Sequence, residues 1–173
     1  MQLREALETA LAFEHKIRDL YTESARKARD SQGQKVFATL AREEQLHVEH
    51  LQGLLDQYLE TGRVAVSELK SILPPPAWLA EEADKLAEAA KAAKTSPDAF
   101  KTELELLKDA LEVERQASSM YGRLVAGLPA EVQPVFSRFL EIENGHVSLV
   151  QAEIDALVGH GHWFDFMEFS LEQ

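Results

Sequence analysis

Two widely separated stretches of the chain interrupt an apolar stripe in the same way. Residues 42–51 read REEQLHVEHL and residues 141–150 read EIENGHVSLV. Each places a glutamate and a histidine three residues apart, Glu44 with His47 and Glu143 with His146. In a helix that spacing puts both side chains on one face. The face is otherwise greasy. Phe37, Leu40, Leu51, Leu54 and Tyr58 extend the first stripe, and Val132, Phe136, Phe139, Val150 and Leu157 the second.

Two further stripes have the same steps of three and four. One runs Leu3, Leu7, Ala10, Leu11, Glu14, Ile17, Tyr21, Ala25 and Ala28. The other runs Phe100, Leu104, Leu107, Leu111, Glu114, Ser118, Tyr121 and Val125. A helix striped this way has to bury its stripe against other helices. The expectation is an all-α four-helix bundle, with helices near 3–30, 34–60, 97–126 and 130–158. Ser31 is a candidate cap after the break at Asp30, and Ser96-Pro97 makes a good helix start. Gly62, Gly127, and Gly159 with Gly161 fall where helices should end, and Pro134 is confined to a first turn.

Residues 62–96 read differently. Pro74, Pro75 and Pro76 forbid helix locally, whereas Leu79–Lys94 is rich in alanine with an apolar side. This is expected to be a long crossover carrying its own short helix. Two short hairpins around one long crossover is ferritin-like connectivity. The halves also repeat: residues 10–21 align on 110–121, and 37–48 on 136–147, with the glutamates, histidines and tyrosines of the stripes in register. The expected organisation is a bundle over 1–158 and an aromatic tail over 159–173. Trp163, Phe164, Phe166, Met167 and Phe169 are too apolar to stay exposed, so the tail should pack on the bundle or on a partner subunit, most simply in a homodimer.

Composition narrows the function. A net charge of −12 disfavours nucleic acid and anionic membrane surfaces as partners. With no cysteine, this sequence holds no thiolate zinc site, iron–sulfur cluster or rubredoxin-type iron. The N-terminal residues lack a signal-peptide core and no apolar run is long enough to span a bilayer, so a soluble cytoplasmic protein is expected.

A lone Glu-x-x-His says little. With 22 glutamates and six histidines, about 0.8 such pairs arise by chance. Register is the informative part. Glu14, Glu44, His47, Glu114, Glu143 and His146 all occupy positions that a bundle gives to Leu or Phe, and no Lys or Arg shares those stripes. An unpaired buried carboxylate is very costly. Two divalent cations would balance the four carboxylates, whereas a carboxylate–histidine network without metal would leave charge uncompensated. Oxygen-rich ligation with two imidazoles suits iron or manganese, with zinc as an inert substitute.

These six residues, with Glu14-x6-Tyr21 and Glu114-x6-Tyr121, resemble the rubrerythrin family of ferritin-like proteins in a single-domain form without a rubredoxin module. The resemblance implies two iron ions bridged by Glu44 and Glu143. Glu14 and His47 would complete one ion, and Glu114 and His146 the other. It also implies reaction with O2 or hydrogen peroxide, with an external electron donor if the activity is peroxidatic. The chain departs from the family pattern at Ala117, which is no ligand, and in its missing cysteines. The symmetric six-ligand set is closer to the ferroxidase centre of bacterioferritin. The alternatives are an iron-storage protein in which oxidation serves sequestration, and a helical module holding structural zinc.

Other residues carry plainer expectations. Tyr21 and Tyr121 either donate to a ligand carboxylate or are core tyrosines reaching a backbone acceptor. His15 and His50 fall off the stripes and are expected in solvent. His160 and His162 mark either a turn or a surface metal site.

Overall fold

The computed structural model describes residues 2–65, 68–75, 77–78, 96–163 and 166. Among them are four helices, α1 (Leu3–Lys27), α2 (Ser31–Thr61), α3 (Pro97–Gly127) and α4 (Gln133–His160), and no strands. The short helix expected within the crossover lies outside the described residues.

Local chemistry sets the helix limits. Asp30, not Ser31, caps α2, its carboxylate accepting from the Gln32 N–H at 2.8 Å. Helix α2 therefore starts three residues before the expected Gln34. Ser96 caps α3, its hydroxyl accepting from the Ala99 N–H at 3.3 Å, with Pro97 in the first turn. Such caps contribute about 1 kcal/mol each. Gly62 and Gly161 end α2 and α4 with φ of 70° and 75°, a conformation costly for residues with a Cβ.

Helix α1 pairs with α2 and α3 with α4 as two hairpins, and α1 also packs on α3. The resulting core has two apolar clusters. One contains Ile17, Tyr21, Phe37, Leu40, Leu107 and Leu157. The other contains Leu7, Leu51, Leu54, Tyr121, Phe136 and Phe139. Apart from Ala117, the buried residues of the two clusters lie on opposite sides of the interrupting glutamates along each helix, so the polar layer divides the core. Burying each large aliphatic side chain contributes about 1.5–3 kcal/mol, and this is what holds the polar layer in place.

The α1–α2 turn is closed by the start of the tail. Trp163 is buried and meets Phe37 edge-on at 5.6 Å, and Phe166 joins the same cluster. A Cβ on Gly33 would come within 2.5 Å of the Trp163 ring and 2.9 Å of a Glu103 oxygen, so only glycine fits there. Glu103 is itself buried and accepts from the N–H groups of Arg29 and Asp30 at 2.5 and 3.0 Å, tying the turn to α3. Phe164, Met167 and Phe169 lie outside the described residues.

Candidate metal centre

The four helices bring all six interrupting residues into one layer: Glu14 from α1, Glu44 and His47 from α2, Glu114 from α3, and Glu143 and His146 from α4. Five are completely buried, and His146 is 2% exposed. The imidazoles stack 5.4 Å apart, within 3° of parallel. Glu44 turns one oxygen to each ring, 3.0 Å from His47 Nδ1 and 2.9 Å from His146 Nδ1. Glu143 does likewise at 3.4 and 3.8 Å. Glu14 approaches His47 Nδ1 at 3.3 Å, and Glu114 approaches His146 Nδ1 at 3.7 Å.

The tyrosines donate to carboxylates, but across the bundle rather than along their own helices. Tyr21 of α1 donates to Glu114 of α3, and Tyr121 of α3 donates to Glu14 of α1. The exchange follows from the antiparallel course of α1 and α3. Each tyrosine lies two turns C-terminal to its own glutamate, which is toward opposite ends of the bundle. Tyr121 also stacks on Phe139, centroids 5.1 Å apart.

Sequence reasoning missed Glu43. It is completely buried, with Oε1 3.6 Å from His47 Nε2 and 3.8 Å from His146 Nε2. Its other oxygen accepts from the Ile72 N–H at 2.9 Å, which ties the crossover to the site. One carboxylate therefore backs both imidazoles on the side away from the other acids. Its sequence signal is the doublet Glu43-Glu44, whose first member lies a full turn before His47.

Proximity sets the electrostatics. Burial, and then the charge of Glu44, pushes Glu14 up to about 7. Burial, then Glu14 and Glu44, holds Glu143 well above the carboxylate range. Burial also works against the charged form of Glu44, but His47 and His146 outweigh it and keep Glu44 well below its ordinary value. Glu43 is likewise lowered: burial opposes ionisation, and the facing imidazoles of His146 and His47 overcome it. Burial disfavours charge on both histidines too, yet Glu44 and the neighbouring acids raise them well above 6.5. With protons rather than cations in the layer, the imidazoles are thus charged against Glu43 and Glu44, Glu143 favours its protonated form, and Glu14 is protonated below about 7.

Three groups of donor atoms lie close enough to share an ion: Glu14, Glu44, His47 and Glu143; Glu44, Glu114 and His146; and Glu43, His47 and His146. Both oxygens of Glu44, both of Glu143 and Nδ1 of His146 have no hydrogen-bond partner among the described residues. At 2.9–3.0 Å the Glu44 oxygens are near the ring nitrogens without being aligned on them as in a hydrogen bond. Donors that approach one another yet bond to none of their neighbours suit cations between them.

The remaining candidates lie outside this layer. His15 and His50 are half-buried rather than solvated, His50 packing edge-on against Phe139 at 5.9 Å. His160 is exposed and His162 buried at the end of α4, and neither joins a metal-competent group among the described residues. No helix among the described residues is long and apolar enough to cross a membrane.

Residues 5–104 match the rubrerythrin family model, a span that includes Glu14, Glu44 and His47. Searches of curated proteins and of solved structures returned no match. The family match covers more than half of the chain, and the structure supplies the all-α, ferritin-like four-helix bundle expected of it. The chain belongs to the rubrerythrin family.

Proposed function

We propose that this protein is a non-haem di-iron oxidoreductase acting on O2 or hydrogen peroxide. The observation that carries the reading is the placement of Glu44, one oxygen about equally near each imidazole Nδ1. Glu44 and Glu143 would lie between two iron ions, with Glu14 and His47 on one and Glu114 and His146 on the other. Bound there, iron supplies the redox equivalents that reduce the oxidant. Manganese fits the same donors.

The chain's own residues prepare the site. The Nδ1 atoms point into the layer and the Nε2 atoms toward Glu43, an outer carboxylate that faces both rings. Tyr21 and Tyr121 hold one oxygen each of Glu114 and Glu14, leaving the second oxygen for a cation. The apolar clusters on either side exclude water and strengthen every electrostatic interaction within the layer. Protons held on the histidines, Glu14 and Glu143 leave as metal enters. Electrons for turnover come from an external donor.

Anaerobic Fe(II) titration followed by O2 or hydrogen peroxide tests the proposal. Two ions per chain and their oxidation are expected. Failure to bind two, or bound iron that neither oxidant changes, refutes it.

A further inference from the structure

A cavity of about 280 Å³ lies between the crossover and α4, and His146 lines it. His146 is also the one member of the six-residue layer with measurable exposure, at 2%. A second cavity, bordered by Phe13, Arg115 and Arg123, touches none of the layer. We propose that the crossover cavity is the port through which a small uncharged oxidant, O2 or hydrogen peroxide, reaches the centre. The assignment of an oxidant rests on the oxidoreductase reading; the port itself does not.

The walls select the guest. Leu73, Pro75, Ile142 and Leu149 give an apolar lining that disfavours ions. At the mouth Arg138 pairs with Glu141 at 2.8 Å, so the two charges answer each other rather than attracting an ion. Arg138 also donates to the Leu69 carbonyl at 3.2 Å, holding the crossover at the cavity's edge.

The two halves of the internal repeat differ at one residue of the cavity wall. Gly145 stands between Glu143 and His146 where the other half has Leu46 between Glu44 and His47. Glycine weakens a helix interior relative to almost any other residue, yet here it borders the cavity. Gly145 and His146 are neighbours on the cavity wall, and a leucine at 145 adds bulk to that wall.

The test compares wild type with Gly145→Leu, which installs the other half's residue, and with Gly145→Ala and Pro75→Trp should the leucine variant fail to fold. In metal-free wild type, xenon under pressure should occupy the cavity, and in Gly145→Leu that site should be lost. In anaerobic ferrous protein, nitric oxide should bind at least tenfold more slowly in Gly145→Leu, with two irons per chain retained. Oxidation by O2 and by hydrogen peroxide, measured separately, should slow to a similar degree. The alanine and tryptophan variants should slow all three reactions by a smaller factor. The port is overturned if xenon does not enter the wild-type cavity, or if variants that exclude xenon react at the wild-type rate. Wild-type iron that binds nitric oxide through the cavity but is oxidised by neither reagent would refute the oxidoreductase reading and leave the port standing. Slowing with only one oxidant identifies that oxidant as the one using the port.

Discussion

The hairpins α1–α2 and α3–α4 contribute equivalent carboxylates, imidazoles and tyrosines to one layer, but they differ in the residues around them. Where α2 has Glu43, α4 has Ile142, and where α2 has Leu46, α4 has Gly145. Glu43 backs both histidines and grips the crossover, whereas Ile142 and Gly145 line a cavity. The shared residues make a symmetric place for cations. Under the same crossover, the unshared ones make α2 a support and α4 the wall of an opening.

Removing a shared residue should have the largest effect. Glu44→Ala takes away the carboxylate common to both halves, and Co(II) titration followed by visible absorption should show the loss of both ions. Retention of two tight sites would mean that the halves bind metal independently.

The next largest effect is on pH dependence. In the metal-free protein Glu14 remains protonated to about 7, while in the unfolded chain it ionises near 4.5. Over that interval the folded state binds the extra proton, so stability falls as pH rises. Glu143 acts in the same direction, and the raised histidines extend the loss above 6.5. Glu43 and Glu44 are lowered and act oppositely, contributing stability above 4.5 that is lost under acid. Glu14 alone corresponds to on the order of 3 kcal/mol, or about 6–12 °C in a chain of this size. Calorimetry should find the metal-free Tm lower at pH 8 than at pH 5, and the increment on adding metal larger at pH 8. A metal-free Tm that rises across this range would contradict the proton distribution.

Glu43→Gln sharpens the contrast between supporting and open sides. It should weaken metal binding by about 10–100-fold, the usual cost of losing an outer carboxylate, and Glu43→Asp should recover part of it. Ile142→Val, at the equivalent place, should leave affinity nearly unchanged. Equal losses at the two positions would remove the distinction.

The smallest effects should come from the tyrosines. Tyr21→Phe and Tyr121→Phe each delete one hydrogen bond to a buried carboxylate, for roughly 1–3 kcal/mol each by chemical denaturation. Similar costs are expected because the two donations are reciprocal, and a clear inequality would show that the exchange is not symmetric.

Much of this layout was legible in the sequence. The stripes gave four helices, and the residues interrupting them are the ones that meet in the layer. Glu43 was not legible, because its position beside Glu44 reads as the polar flank of a helix until the crossover's Ile72 N–H closes over it. Glu103 was hidden for a similar reason: it lies beside the apolar Leu104, and its partners are backbone groups of a turn distant in sequence. The tyrosines showed their distance from their own glutamates but not the antiparallel neighbour that receives the hydrogen bond. Protonation was also invisible. Protons on the histidines neutralise part of the charge that a count of carboxylates assigns wholly to cations.

Anomalous diffraction from crystals loaded anaerobically with Fe(II), recorded at the iron edge, addresses the centre most directly. Two peaks between the Glu44 and Glu143 carboxylates, one beside His47 and one beside His146, are the expected result. No peak in that layer, or a single ion on the far side of the rings at Glu43, would contradict it.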